Sequence, residues 1–105
     1  MFPNVKVGEV SGTGSTVLVN LGWQPDYIET INLTDKDQMY KFHSGMSAGT
    51  AIDINKSGSI AELASEGFTL VNNATDNVCG FKIGTTISES SKRIAYLAVR
   101  NGPGN

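Results

Sequence analysis

The sequence predicts an all-β protein, a single small β-sandwich or jelly-roll-like domain over residues 1–105, on three observations. Ser, Thr, Asn and Gly fill 40 of the 105 positions, while charged residues make up 17%, against roughly 25% in an average globular protein. A chain poor in Lys and Glu and rich in Thr and turn formers favours short strands over helices. Alternating or β-branched runs recur about every 8–12 residues between clusters of Gly, Pro, Asn and Asp, which is the spacing of a sandwich. Hydrophobic residues at 39% supply a core.

Residues 1–15 read as an N-terminal arm: an edge strand in which Val5 and Val7 alternate with Lys6 and Gly8, then the loop Ser11–Ser15. Because Val5–Val10 precedes the main alternating pattern, it is expected to be free to reach a neighbouring chain by strand addition. Thr16–Asn20 is a β-branched strand. Leu21–Asp26 (LGWQPD) is a turn, with Pro25 forcing Gln24 into extended geometry. Tyr27–Asn32 alternates, with Ile28 and Thr30 on one face and Tyr27, Glu29 and Ile31 on the other.

A polar turn at Asp35–Asp37 leads into Gln38–His43, where Tyr40 and Phe42 share a face, and Ala51–Ile54 is a further short strand. Ile60–Ser65 fits one helical turn or a strand equally well. Gly67–Asn73 and Gly80–Gly84 face each other across the Ala74–Cys79 connection, Arg93–Arg100 is a final strand, and 101–105 is a flexible tail. The expected core is Val17, Val19, Ile28, Phe42, Phe68, Leu70, Phe81, Ile83, Tyr96 and Leu97.

Net charge is −2 with no run of Lys or Arg, so no electrostatic footprint for nucleic acid is present. MFPNVKVGEV lacks the apolar stretch of a signal peptide, and no apolar run approaches the roughly 18 residues of a membrane span. A single cysteine excludes an internal disulfide. These features point to synthesis in a reducing cytoplasm.

Catalytic chemistry finds no foothold. The sole histidine, His43, stands beside Ser44 at a strand end, and no G-x-S-x-G elbow surrounds any serine. Cys79, between Val78 and Gly80-Phe81, reads as a small buried hydrophobe. One Cys and one His cannot build a zinc site. Gly12–Ser15 has the glycines of a phosphate loop without its Lys, and reads as a hairpin loop.

Asp53–Ile60 (DINKSGSI) begins like a calcium loop. The twelfth position holds Ala64 where a bidentate Glu is required, so an Asx-type turn accounts for it. The N-x-[ST] triplets at Asn32, Asn55 and Asn73 arise by chance in a chain this rich in Asn, Ser and Thr, and the carboxylates Asp35 and Asp37 lie in a turn, where acidic residues are ordinary. The expectation is no enzyme, no cofactor and no metal.

The segment LGWQPDYIETINLTD (Leu21–Asp35), followed by FHSGMSAGTAI (Phe42–Ile52), GFKIG (Gly80–Gly84) and IAYLAVR (Ile94–Arg100), resembles small virion structural proteins of tailed bacteriophages. The resemblance spans about residues 16–100 and lies in the order of the pieces; Asn72–Val78 and the 85–92 stretch are unmatched. It implies a non-enzymatic capsid decoration (cement) protein on the head surface of the virion. Such a protein would form a homo-oligomer, a trimer being the state that suits three-fold capsid positions, with the major capsid protein as partner.

The alternative is a tail or fibre module binding host surface glycan, for which Trp23 with Gln24 and Asp26 would be the platform. Interface candidates are Val5, Val7 and Val10 in the arm, and Trp23 and Met46 beside loop glycines. Trp23 and Met46 would equally suit plugs at the sandwich end.

Overall fold

The computed structural model describes residues 4–73 and 75–100. Met1–Pro3, Ala74 and the 101–105 tail lie outside the described residues. Among the described residues the fold is all-β, with eight strands: β1 (Val5–Ser11), β2 (Val17–Asn20), β3 (Tyr27–Asn32), β4 (Gln38–His43), β5 (Thr50–Asn55), β6 (Ile60–Asn73), β7 (Val78–Ile83) and β8 (Arg93–Val99). All pair antiparallel in one sheet of order β1-β8-β3-β4-β5-β6-β7-β2. β3 to β7 form a meander. The chain then crosses back to lay β8 beside β3, and β1 and β2 cap the two edges.

The two layers of the sandwich are the two halves of this one sheet. β7 and β8 lie far apart in the strand order, yet the Phe81 and Tyr96 rings meet edge-on with centroids 5.6 Å apart. Phe68 stands 6.3 Å from Phe81 and 5.9 Å from Phe42, so a chain of aromatic contacts joins the halves across the core.

The sheet turns its corner within β6. Ala51 pairs with Leu63 but Thr50 pairs with Phe68, so the intervening residues bulge out of the ladder. Glu66 takes a left-handed φ of 61° there. The backbone of Gly67 approaches so closely that a Cβ would lie 2.5 Å from the Thr50 carbonyl oxygen. Below the bulge β6 pairs with β5, and above it with β7. The Ile60–Ser65 segment is therefore strand, not helix.

Burial follows the strand alternation. Val19, Ile28, Phe42, Phe68, Phe81, Ile83 and Tyr96 are buried as expected, with Val17 and Leu70 packed against them. Leu97 is the correction. It is Tyr96's neighbour on one strand and must face the other way, and it is half-buried on the outer face. Trp23, Tyr40, Ala51, Ile87, Ile94 and Ala98 complete the core.

Two further expectations change. Gly12–Ser15 is not a hairpin loop, because β1 and β2 sit at opposite edges of the sheet. It crosses the open side and ties to the β7–β8 connection. Gly12 N–H donates to the Lys92 carbonyl (2.8 Å), Gly14 N–H to Ser88 (2.8 Å) and Ser91 N–H to Gly12 (3.0 Å). Nor is Val5–Val10 a free arm: β1 pairs with β8 along its whole length, from Val5↔Val99 to Ser11↔Arg93.

Candidate interaction surface

The residues that could carry chemistry are spread apart and engaged locally. His43 is exposed at the end of β4, where its Nδ1 accepts the Gly45 N–H at 3.1 Å. Cys79 is half-buried at the start of β7, with Sγ 3.9 Å from Asn72 Oδ1. That corrects the buried reading, since the β6–β7 hairpin ends there and leaves the thiol little cover.

In the Asp53–Ile60 loop, Asn55 Oδ1 accepts the N–H groups of Ser57 (3.1 Å) and Ser59 (3.2 Å) and the Ser57 hydroxyl (2.6 Å). The Asp53 carboxylate accepts from Gln38 Nε2. This is an Asx turn whose oxygens are already used. Among the described residues, no three His, Cys, Asp or Glu side chains converge as metal ligands would.

The carboxylates near the β3–β4 turn are structural. Buried Asn32 takes the N–H groups of Thr34 (3.0 Å) and Asp35 (2.9 Å) on Oδ1 and donates Nδ2 to Asp35 and Glu89. Lys92 Nζ reaches Asp35 at 3.0 Å. The Tyr40 phenol beneath them is pushed up to about 12, by burial first and then by Asp53, Glu89 and Asp37. Ionising it would set a buried charge among carboxylates.

What the fold gathers is an apolar surface. Register places Ala95, Ile31, Met39, Ile54 and Ile60 side by side across β8, β3, β4, β5 and β6. All five lie on the face turned away from the core. Beside this row Val7 stands opposite Leu97, and beyond it Val5 opposite Val99.

Within the row Ile60 is 71% exposed and the other four are half-buried; beside it Val7 is 70% exposed and Val5 51%. Shallow hollows open between Ile31, Met39 and Ile54 and between Val7, Ala95 and Leu97. One ion pair interrupts the face, Lys41 Nζ to Glu29 at 3.5 Å. At its margin Arg93 holds Glu9 through two contacts of 3.0 Å, which keeps the Glu9 carboxyl below its ordinary range.

The five interface candidates divide. Val5 and Val7 face outward, while Val10 and Met46 are half-buried and pack against the core. Trp23 is 4% exposed, with the Arg100 guanidinium 5.1 Å over its ring, so it forms no aromatic platform for a sugar. Sequence reasoning missed Ile31, Met39, Ile54 and Ile60. The signal was present in YIETIN, where Ile31 falls on the face opposite Ile28. No protein-family model, curated protein or solved structure matches the chain.

Proposed function

We propose that this protein is a non-enzymatic structural subunit of a tailed-bacteriophage virion, a capsid decoration protein that binds the major capsid protein on the head surface through the outer face of its sheet. One observation carries the reading: a partly exposed apolar row of five residues runs across five strands on the face turned away from the core, flanked by the exposed Val5 and Val7. A monomeric soluble protein rarely keeps such a contiguous patch without a partner for it. The phage assignment rests on the resemblance of Leu21–Asp35, Phe42–Ile52, Gly80–Gly84 and Ile94–Arg100 to virion proteins. A capsid presents its binding site in many copies, so a face of modest size suffices for stable coating.

The test is co-sedimentation with undecorated capsids of a tailed phage, comparing the native chain with Ile60→Glu and Met39→Glu. The native protein is expected to pellet with capsids. Each variant should lose at least tenfold in affinity while still melting cooperatively. Variants that bind as well as the native chain, or a native chain that binds no such capsid, would refute the assignment.

A further inference from the structure

The outer edge of β1 is built to pair. At the two ends of the β1·β8 ladder, Arg100 N–H donates to the Asn4 carbonyl (2.9 Å) and Gly12 N–H to the Lys92 carbonyl (2.8 Å). Opposed pairs in an antiparallel ladder alternate between bonded and non-bonded. Lys6, Gly8 and Val10 are therefore the residues that bond to β8. The main-chain N–H and C=O groups of Val5, Val7 and Glu9 point the other way, out of the sheet.

This edge carries charge at Lys6 and Glu9 but lacks the other usual guards. Sheet proteins blunt their edges with short strands, bulges, prolines or charge. β1 runs seven residues in unbroken register, without Pro, and its outward valines are the exposed Val5 and Val7. The other edge differs. β2 has four residues, and Asn20 Oδ1 folds over its end to take the Gly22 and Cys79 N–H groups.

We propose that β1 pairs with β1 of a second copy of this chain, antiparallel about a twofold axis at Val7, so that one sheet runs through both molecules. A second copy fits because an antiparallel edge is its own complement under a twofold. With the axis at Val7, the two Val7 residues oppose each other and Glu9 opposes Val5 of the other copy. Three residue pairs then exchange both main-chain bonds, using the groups that β8 leaves unused.

Charge selects this register. The two Glu9 residues stay about 14 Å apart, four residues along the strand. An axis at Gly8 would bring them to a diagonal spacing of about 7–8 Å, where like charges repel. Lys6 falls opposite Gly8, which presents no side chain. On the outer face the pair Leu97–Val7 meets its copy and extends the apolar surface across the axis. The arrangement is twofold, unlike the trimer that capsid positions alone would suggest, and it does not depend on the capsid assignment.

Sedimentation velocity on the full chain should show a concentration-dependent dimer. Val7→Lys places two ammonium groups across the axis and should weaken the dimer at least tenfold, while Leu18→Lys on the β2 edge should leave it unchanged. In a Cys79→Ala background, a short bis-maleimide should join Val7→Cys into a covalent dimer. It should fail with Val5→Cys, whose two copies lie about 14 Å apart.

Because cross-linking reads position directly, it decides the matter even if Val7→Lys folds poorly. A native monomer or trimer at high micromolar concentration, a dimer unaffected by Val7→Lys, or equal cross-linking at positions 5 and 7 would each overturn the proposal. Pairing only with an added foreign strand peptide would do the same.

Discussion

Phe81→Ala should be among the most damaging single changes in this protein. Phe81 is fully buried, and its ring is the link between Phe68 of β6 and Tyr96 of β8. Truncation forfeits the transfer free energy of a large side chain, about 1.5–3 kcal/mol. It also breaks two edge-on ring contacts, each worth about 0.5–1.5 kcal/mol. Neighbours drawn from opposite halves of a curled sheet cannot collapse into the hole without moving the layers. The expected loss is therefore about 3–5 kcal/mol, a large share of the roughly 5–15 kcal/mol that holds a domain folded.

Urea unfolding followed by the fluorescence of buried Trp23 measures this loss. With a slope of about 1–3 kcal/mol/M, the midpoint should fall by about 2 M. Leu97→Ala is the internal control, since that residue sits half-buried on the outer face and should cost under about 1.5 kcal/mol at a concentration where copies stay apart. A Phe81→Ala loss below about 1 kcal/mol, or equal losses for the two variants, would refute the inside–outside assignment of β7 and β8.

Four further outcomes are expected. Cys79 should react with a thiol reagent in the native protein, because it is half-buried at a strand end; labelling only at the rate of global unfolding would contradict this. Tyr40, raised to about 12 from an ordinary 10, favours the fold in its neutral form. Its contribution is complete below pH 10 and fades as pH rises toward 12, so Tyr40→Phe should flatten the alkaline stability profile over that window. EDTA should leave the melting temperature unchanged, as the Asn55 oxygen is already bonded to Ser57 and Ser59; a fall of many degrees would reinstate a cation there. Deleting residues 1–10 should lower the melting temperature sharply by uncovering β8 and Tyr96, and an unchanged melt would show that β1 contributes nothing to folding.

Strand existence was legible because it is local. The bounds of β3 and β4 could be read directly from YIETIN and QMYKFH, since a period of two needs only half a dozen residues to declare itself. The first half of β6 was ambiguous for a physical reason. Ala61, Glu62 and Ala64 are exposed and only Leu63 packs against the core, so a single inward residue imposes little alternation on the sequence. Trp23 was hard to place because the groups it packs with, Arg100 over its ring among them, come from distant parts of the chain. Strand order was legible only in part: β6 and β7 pair as Gly67–Asn73 and Gly80–Gly84 were expected to, and β1 is an edge strand, but its partner β8 lies across almost the full length of the sequence.

The interaction surface was half legible, and the reason lies in what alternation conceals. A strand with one apolar face announces its inside; a strand with two announces only that it is a strand. In YIETIN, Ile28 is core and Ile31 is surface; the alternation sets them on opposite faces but does not say which residues Ile31 will join. The distinction appears only when register lines Ile31 up with Met39, Ile54 and Ile60 on the convex side of a curled sheet. Curling also makes the two edges unequal. Among the described residues the sheet has eight strands but remains open between β1 and β2, and the crossing loops that tie one end of this gap make no main-chain bond to the outer groups of Val5, Val7 and Glu9. The apolar face and the open β1 edge meet at Val7, so a change there tests both at once, whereas Ile60 tests the face alone.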